Sequence, residues 1–318
     1  MSDLIINQDE RVSDDLIYVD STWFDYFLLL KPRVMSLVIF TGLTGIILAP
    51  GDIHFITALI ALISISLAAG ASGAINMWYD ADIDKLMDRT KNRAIPRGKI
   101  AKEEALTLGV TVGGASVLFM GLLVNWLSSV LLLITILFYI VIYTMWLKRR
   151  TPQNIVIGGA AGAFPPLIGW SAVTSEVTFF PIVLFLIIFL WTPPHFWALS
   201  LYRSEDYRKA AIPMMPVVKG SLQTRVQILF YTLILVPVTF VPWFINELGQ
   251  LYFFTALFLG SIFIYKSALL LIRGSALEKT GNQKDAKSLF RFSIIYLFLI
   301  FFGMIVDCFF TIRFFPFL

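Results

Sequence analysis

The chain has 318 residues, of which 58% are hydrophobic and only 14% are charged, and its mean hydropathy is +0.81. Ordinary soluble domains carry about 45–50% apolar and about 25% charged residues, so this composition excludes a soluble protein and indicates one that lies in lipid. The net charge of +4 does not form the basic stripe that a nucleic-acid partner requires, and a single cysteine excludes an intrachain disulfide.

Residues 1–26 come first in chain order, and we predict that they form a disordered cytoplasmic tail. Within the first 25 residues, acidic side chains outnumber basic ones seven to one, Arg11 being the basic residue. This balance is the reverse of the positively charged start of a signal or transit peptide. We predict that residues 27–318 form one membrane domain, because no linker rich in Pro, Gly and Ser interrupts the apolar segments.

Nine apolar stretches follow, and each is about long enough to cross a bilayer core of about 30 Å as a helix. We therefore predict an all-α, polytopic membrane protein with nine transmembrane helices. The fifth stretch is rich in glycine and contains Pro165 and Pro166, which predicts a close packing interface with a break in the helix. The predicted spans lie near 34–50, 54–79, 105–124, 127–147, 154–173, 178–200, 225–246, 250–272 and 289–312.

The basic residues fall on alternate sides of these spans. Lys and Arg are retained on the cytoplasmic side of membranes, so their distribution predicts orientation. Of the 25 basic residues, 23 lie in the N-terminal segment or around the loops after spans two, four, six and eight, the exceptions being Lys266 and Arg313. The pattern predicts a multi-pass protein with its N-terminus in the cytoplasm and its C-terminus outside.

The segment after span two carries Asn76, Asp80, Asp84 and Asp88 at intervals of four residues. If the helix continues, these side chains lie on one face about 6 Å apart, where like charges repel each other. Acids at a membrane helix are costly and usually functional, and Mg²⁺ takes carboxylate oxygens together with substrate phosphates. We predict that Asn76, Asp80 and Asp84 bind Mg²⁺, while Asp82 points elsewhere. The alternative is a solvated loop whose acids neutralise neighbouring bases.

Basic residues close to this series predict a bound diphosphate, because arginine matches phosphate oxygens in bidentate fashion and lysine supplies a point charge. A second basic group, between spans four and five, lies on the same side of the membrane, and its alternative role is that of a positive-inside anchor. The predicted diphosphate contacts are Arg89, Lys91, Arg93 and Arg97 in the first group and Lys148, Arg149 and Asn154 in the second, with Arg93 acting in catalysis beside Asp80 and Asp84.

The sequence contains two histidines, and only His195 lies on the same predicted side as the acidic series. It follows Trp191-Thr-Pro-Pro at the predicted cytoplasmic end of span six, whereas His54 lies at the outer surface. His195 is a candidate ligand for an iron or a polar contact within the site. Its alternative is a hydrogen-bonded structural histidine.

The spacing Asn76-x-x-x-Asp80-x-x-x-Asp84, at the end of the second of nine helices, resembles the UbiA superfamily of intramembrane prenyltransferases. Further segments resemble the branch of that superfamily that farnesylates heme, and the likeness runs from about residue 27 to about residue 303. The short N-terminal segment resembles the bacterial form and implies the inner membrane of a cell. The segments that carry the likeness are Lys31-Pro-Arg-Val-Met-Ser36, Arg89-Thr-Lys-Asn-Arg93, 148–159, 191–197 and 206–216.

The resemblance implies a UbiA-type bundle with Mg²⁺ as cofactor that transfers a farnesyl group from farnesyl diphosphate to a vinyl carbon of heme B. Water completes the new side chain, and the product, heme O, serves heme-copper oxidases. The implied partners are both substrates and membrane lipid, with heme A synthase or oxidase assembly factors as candidates, and no nucleic acid. Where the wider superfamily has a second acidic motif, this chain has His195, Arg203, Glu205 and Asp206, and the resemblance leaves open which of them binds metal.

Two other functions remain open from the sequence. One is a different UbiA-type enzyme with a quinone precursor or a chlorophyll-type ring as acceptor, against which the segment around His195 argues. The other is a membrane ion carrier, because acids in membrane helices often line ion paths. Carriers commonly show two inverted halves with midplane acids, whereas here the acids cluster at one surface.

Overall fold

The computed structural model describes residues 21–279 and 283–314, and all regular secondary structure in these residues is helical. Helices alternate with short turns, and one segment is a π-helix, in which backbone hydrogen bonds join residues five apart. The elements are α1 (Trp23–Leu29), α2 (Pro32–Leu48), α3 (Phe55–Tyr79), α4 (Ala81–Asp84), α5 (Lys102–Leu123), α6 (Trp126–Leu137), the π segment (Phe138–Leu147), α7 (Asn154–Ala163), α8 (Pro165–Thr174), α9 (Phe179–Tyr202), α10 (Ser204–Lys209), α11 (Met215–Val218), α12 (Gly220–Phe244), α13 (Gln250–Lys279) and α14 (Lys284–Phe314).

Eight helical segments of the described chain are long and apolar enough to cross a membrane. They match predicted spans two to nine, with α6 and the π segment forming one span and α7 and α8 another. The first predicted span is the shorter helix α2. Its 17 residues cover about 26 Å at 1.5 Å per residue, slightly less than a bilayer core of about 30 Å. The prediction of an all-α, multi-pass membrane protein is confirmed, and the count of nine includes one helix at the lower limit of length.

Helix α1 corrects the boundary of the predicted tail, because regular structure begins at Trp23 and not after residue 26. The backbone N–H of Thr22 donates to Asp25 Oδ2 at 3.1 Å, and the N–H of Asp25 donates to Thr22 Oγ1 at 3.4 Å. This reciprocal capping fixes the first turn. Lys99 Nζ donates to Asp25 Oδ1 at 3.1 Å and so ties α1 to the loop before α5. The remainder of the predicted tail, residues 1–20, lies outside the described residues.

The long helices contact one another in a closed order, from α2 through α3, the π segment, α7, α9, α12, α13 and α14 back to α2. The predicted break in span five is confirmed, since α7 ends at Ala163 and α8 begins at Pro165. Helix α8 crosses α2 at glycines, as expected where backbones approach closely in membranes. A Cβ on Gly45 would lie 2.0 Å from the carbonyl oxygen of Pro166, and one on Gly169 would lie 2.1 Å from that of Gly42.

Large side chains fill the bundle between α9, α12, α13 and α14, where Trp197, Tyr252 and Phe263 have no exposed surface. By contrast, the outer faces of the spans present apolar side chains, among them Leu122 on α5 and Trp126 at the start of α6. Apolar surface of this extent is unfavourable in water, so these faces contact the acyl chains of the bilayer.

Candidate active site

Asn76, Asp80 and Asp84 lie together at one end of the bundle, where α3 passes into α4. Hydrogen bonds between residues four apart continue across the junction, since Asp80 N donates to Asn76 O at 2.9 Å and Asp84 N donates to Asp80 O at 2.8 Å. The three side chains therefore share one face, and their exposed fractions are only 5%, 0% and 3%. We call these three residues the acidic series and this end of the bundle the polar end.

The one-face arrangement does not extend to Asp88, because the helix ends at Asp84 and turns follow it. Asp88 is exposed and pairs with Lys91 Nζ at 2.5 Å and Lys209 Nζ at 3.4 Å. Asp82 points away from the series, as predicted, and pairs with Arg149 Nη2 at 2.7 Å. Hydrogen bonds from this guanidinium lower the pKa of Asp82.

Three of the predicted basic residues neutralise the buried carboxylates. Lys148 Nζ forms an ion pair with Asp80 Oδ2, and Arg149 Nη2 lies 3.5 Å from Asp80 Oδ1. Arg93 Nη1 lies 2.6 Å from Asp84 Oδ2. Buried charges are tolerated when they are paired in this way. Folding thus brings bases from the turn after α4 and from the end of the π segment to the same two acids.

Lys31 is a further cation of this site, and the predicted site residues do not include it. Its Nζ donates to Asn76 Oδ1 at 3.1 Å. Its backbone has a φ of 53°, a left-handed conformation that non-glycine residues rarely adopt, and its side chain passes beside Gly73. Burial, together with the charges of Arg93 and Lys148, lowers the pKa of Lys31 to about 7. The signal in the sequence is the Lys-Pro pair at the start of the first span.

The remaining predicted diphosphate contacts lie at different depths. Arg89, Lys91 and Arg97 are exposed, and none of them forms an ion pair with the acidic series within the described residues. Asn154 is buried, and its Nδ2 donates to Thr151 O at 2.6 Å, while its Oδ1 has no hydrogen-bond partner among the described residues. An unpaired acceptor does not suit an anion, so contact with a diphosphate would require the Asn154 amide to rotate.

The π segment adds polar and aromatic groups that the sequence reasoning missed. Asn76 Nδ2 donates to Thr144 Oγ1 at 3.3 Å, and the rings of Tyr139 and Tyr143 lie 5.3 Å apart. The ring of Tyr143 occupies the space that a Cβ on Gly158 would fill. Because Gly158 has no side chain, α7 packs closely against the π segment. π-helical turns occur frequently at functional sites, and here one of them touches the acidic series directly.

His195 lies on α9 between the rings of Trp191 and Phe290, whose centroids are 4.3 Å and 4.7 Å away. Its Nδ1 lies 2.7 Å from Ser293 Oγ, and that hydroxyl donates to Phe290 O at 2.7 Å. The serine oxygen therefore accepts from Nδ1–H, which in a neutral ring leaves the lone pair on Nε2. No described residue hydrogen-bonds Nε2 or joins His195 to the acidic series. A hydrogen bond at Nδ1 orients a histidine that binds a metal through Nε2. The same hydrogen bond would also satisfy the polar group of a histidine with a structural role.

The second motif, after α9, contains one buried acid. Asp206 is buried, and its Oδ2 has no hydrogen-bond partner in the part of the chain that the structure describes, although Arg203 Nη1 lies 3.8 Å away. Glu205 is exposed and pairs with Arg208 at 2.5 Å. The ion pair between Lys209 and Asp88 joins this motif to the segment after α4, so both motifs meet at the polar end.

The donor set suits a metal ion that is shared with a ligand. Within the described residues, no group of three or more His, Cys, Asp or Glu side chains could hold a metal ion. Asp80 and Asp84 supply carboxylate oxygens, and Asn76 adds an amide oxygen. Mg²⁺ commonly combines one or two carboxylates with substrate phosphates and water. The acidic series therefore fits Mg²⁺ bound jointly with a diphosphate.

A multi-pass helical bundle with buried carboxylates and paired cations at one end fits an intramembrane prenyltransferase. Residues 38–295 match the UbiA prenyltransferase family, and the chain belongs to that family. It is 54% identical over 294 residues to the protoheme IX farnesyltransferase of Brucella anthropi, which covers 92% of this chain and 93% of the relative. It is 58% identical over 285 residues to that of Parvibaculum lavamentivorans, covering 89% and 88%.

A solved structure supports the fold independently. The UbiA homolog from Archaeoglobus fulgidus bound to GPP and Mg²⁺ is 16% identical, with a TM-score of 0.62, and the match covers 88% of this chain and 99% of that one. At this identity the likeness shows the fold alone. The prediction of a UbiA-type membrane prenyltransferase is confirmed.

Proposed function

We propose that this protein transfers a farnesyl group from farnesyl diphosphate to a vinyl group of heme B and so makes heme O for heme-copper oxidases. The observation that carries this proposal is the buried acidic series, surrounded by its own cations, at one end of an apolar bundle. The relatives named protoheme IX farnesyltransferase, 54% and 58% identical over most of both chains, support the acceptor. The reaction joins two apolar substrates, which suits a site within lipid.

Asp80, Asp84 and Asn76 would hold Mg²⁺ together with the diphosphate. When bound, Mg²⁺ stabilises the negative charge that develops on the departing diphosphate. The Archaeoglobus fulgidus homolog, which has the same fold, is bound to GPP and Mg²⁺, so this fold can hold a prenyl diphosphate together with the metal. The amide oxygen of Asn76, which accepts a hydrogen bond from Lys31, is the third candidate ligand.

The cations beside the acidic series are the groups that a diphosphate would meet. Lys31, Arg93, Lys148 and Arg149 form ion pairs or hydrogen bonds with these residues, and phosphate oxygens provide alternative acceptors. As the allylic C–O bond breaks, these charges would stabilise the leaving diphosphate. The terminal vinyl carbon forms the new C–C bond, and water adds a hydroxyl to the resulting carbocation and releases a proton. The exposed bases Arg89, Lys91 and Arg97 would attract the anionic substrate.

The polar end of the bundle is proposed to face the cytoplasm across the inner membrane, with the C-terminus outside. The loops at this end contain basic groups such as Arg93, Lys148 and Arg203, and basic loops are retained in the cytoplasm. The diphosphate substrate would then enter from the cytoplasm, while the farnesyl chain lies in the bundle.

The ion-carrier alternative finds little support in the buried acids. Asp80 and Asp84 lie at the polar end, and Asp307 lies near the other end of the bundle on α14. The oxygens of Asp307 accept from the backbone N–H groups of Gly249 at 2.5 Å and Tyr252 at 2.9 Å, which caps the start of α13. Buried acids therefore stand at helix ends and not along a path through the midplane.

The choice of acceptor tests the proposal directly. We expect purified protein in lipid nanodiscs, given farnesyl diphosphate, Mg²⁺ and heme B, to yield heme that mass spectrometry finds heavier by one farnesyl group and one water. The same protein should leave 4-hydroxybenzoate unmodified. Prenylated benzoate beside unmodified heme would instead support the quinone-type enzyme. No reaction with either acceptor, together with ion movement across vesicles, would support the carrier.

His195 is proposed to bind the heme iron through Nε2. We expect His195→Ala to weaken heme binding about tenfold or more, measured by the shift of the Soret absorbance, without an equal loss of farnesyl diphosphate affinity. The matched control is His54→Ala, because His54 Nδ1 accepts from Ile56 N at 3.3 Å at the opposite end of α3. Unchanged heme affinity in the His195 variant would leave this residue with a structural role only.

A further inference from the structure

We infer that Arg203, Lys287 and Arg291 form a carboxylate-binding site that holds the propionate groups of the heme substrate. The inference rests on the proposed function and concerns a surface separate from the acidic series. We call these three residues the cation cluster. It lies where the end of α9 meets the first turns of α14, at the polar end of the bundle.

Two members of the cation cluster lie near the ring of Tyr202. Lys287 Nζ lies 5.8 Å from the centroid of its ring, and Arg203 Cζ lies 6.0 Å from it. Arg291 follows Lys287 by four residues on α14, so both project on one side of that helix. Two of the three cations thus lie beside one half-buried phenol, and the third lies about one helical turn further along α14.

The cation cluster is short of negative partners. Lys287 and Arg291 form no ion pair within the described residues, and Arg203 has only Asp206 at 3.8 Å. Arg93, at the same end of the bundle, lies by contrast 2.6 Å from Asp84. Lys287 and Arg291 lie about one turn apart on α14, where like charges repel, so an anionic ligand with two carboxylates would stabilise this arrangement.

The position of the cation cluster relative to His195 matches the shape of heme. Tyr202 follows His195 by seven residues, which is about two turns, or about 10 Å, towards the polar end. Phe290 connects the two places, since its ring stacks on His195 at 4.7 Å and meets Tyr202 edge to face at 5.9 Å. Heme has its iron at the centre and both propionates on one edge. With the iron at His195, that edge would reach the cation cluster.

Anionic oxygen groups at this depth could also come from lipid phosphates, so the test separates the two sources. The variant is Lys287→Gln with Arg291→Gln in the full-length protein, placed in nanodiscs of zwitterionic lipid. We expect it to bind heme B about tenfold more weakly than the wild type, by Soret titration. Heme B dimethyl ester, whose propionates carry no charge, should bind the wild type and the variant equally. Lys102→Gln, an exposed lysine at the start of α5, is the control and should retain full affinity.

Several outcomes would overturn the inference. Equal affinity of the wild type for heme B and its dimethyl ester would do so, as would unchanged heme B affinity in the double variant. Unchanged heme B affinity together with weaker retention of anionic lipid by the double variant would assign the cation cluster to lipid phosphates. Loss of farnesyl diphosphate affinity would show that the substitutions disturb the site as a whole. If the wild type neither binds nor farnesylates heme B, the proposed function itself fails, whereas farnesylation with unchanged double-variant affinity removes only this inference.

Discussion

Replacing Asp80 or Asp84 with Asn is expected to lower the rate of farnesyl transfer about a thousandfold, because each change removes a charged oxygen that we propose as a Mg²⁺ ligand and that would stabilise the transition state by several kcal/mol. The substitution keeps the size of the side chain, and the protein should still insert into the membrane. The measurement is the initial rate of heme O formation at saturating substrates, with the amount of folded protein checked by gel filtration.

Asp82→Asn provides the matched control, since Asp82 lies between the two acids in sequence but has a side-chain exposure of 56% and pairs with Arg149. Exposed ion pairs contribute little, so this variant should keep its rate within a few-fold. Chelation of divalent metal should abolish activity of the wild type, and added Mg²⁺ should restore it. Normal rates in both Asn variants, or full activity under chelation, would exclude the metal–diphosphate model.

Gly45→Ala is expected to have the largest effect on stability. The new Cβ would stand 2.0 Å from Pro166 O and 2.8 Å from Pro166 C, and backbone atoms cannot move aside as a flexible side chain would. Overpacking costs about 1–3 kcal/mol, and this backbone clash should reach at least the upper end of that range, forcing α2 and α8 apart. Because polytopic proteins often unfold irreversibly, the measurement is the temperature of half-inactivation at a fixed heating rate in detergent.

Gly114→Ala is the corresponding control on α5, where an added Cβ meets nothing within 4 Å. Alanine favours a helix over glycine by up to about 1 kcal/mol, so this variant should be as stable as the wild type or slightly more so. Gly169→Ala, whose Cβ would lie 2.1 Å from Gly42 O on the facing helix, should behave like Gly45→Ala. Equal inactivation temperatures for all three variants would show that α2 and α8 do not cross as closely as described.

The positions of the spans were predictable because apolar length is a property of the chain itself. Span six, predicted over 178–200, is observed as Phe179–Tyr202. The π geometry of Phe138–Leu147 was not predictable, since an α-helix and a π-helix of the same composition differ only in which carbonyl each N–H contacts. Helix α1 was missed because its stability depends on Asp25 and on Lys99, far along the chain.

The site was predictable where it depends on spacing and not where it depends on turns. An interval of four residues places Asp80 and Asp84 on one face, and the structure retains that face. Which base meets which acid is decided by the irregular turns after Asp84, where Arg93 returns to the series and Lys91 does not. The role of Lys31 depends on a left-handed backbone, which has no periodic signal in the sequence.

Because of the π segment, the fourth span contains more residues than an α-helix with the same number of turns. This difference determines how an insertion or a deletion in the span acts on the enzyme. A π turn contains one more residue than an α turn, and here the wide turns lead directly into Lys148, whose N–H donates to Tyr143 O at 2.9 Å. If one residue between Leu137 and Leu147 were deleted, this part of the span could form a regular α-helix. Its backbone hydrogen bonds would all be formed, and its hydropathy would be unchanged. Each residue of a π-helix turns less about the helix axis than a residue of an α-helix, so the change to α geometry together with the missing residue would reset the direction of every later side chain, Lys148 among them. In an alignment of homologous chains, this span should therefore be positioned by matching the basic residue that pairs with Asp80, which is Lys148 in this chain, and not by hydropathy alone.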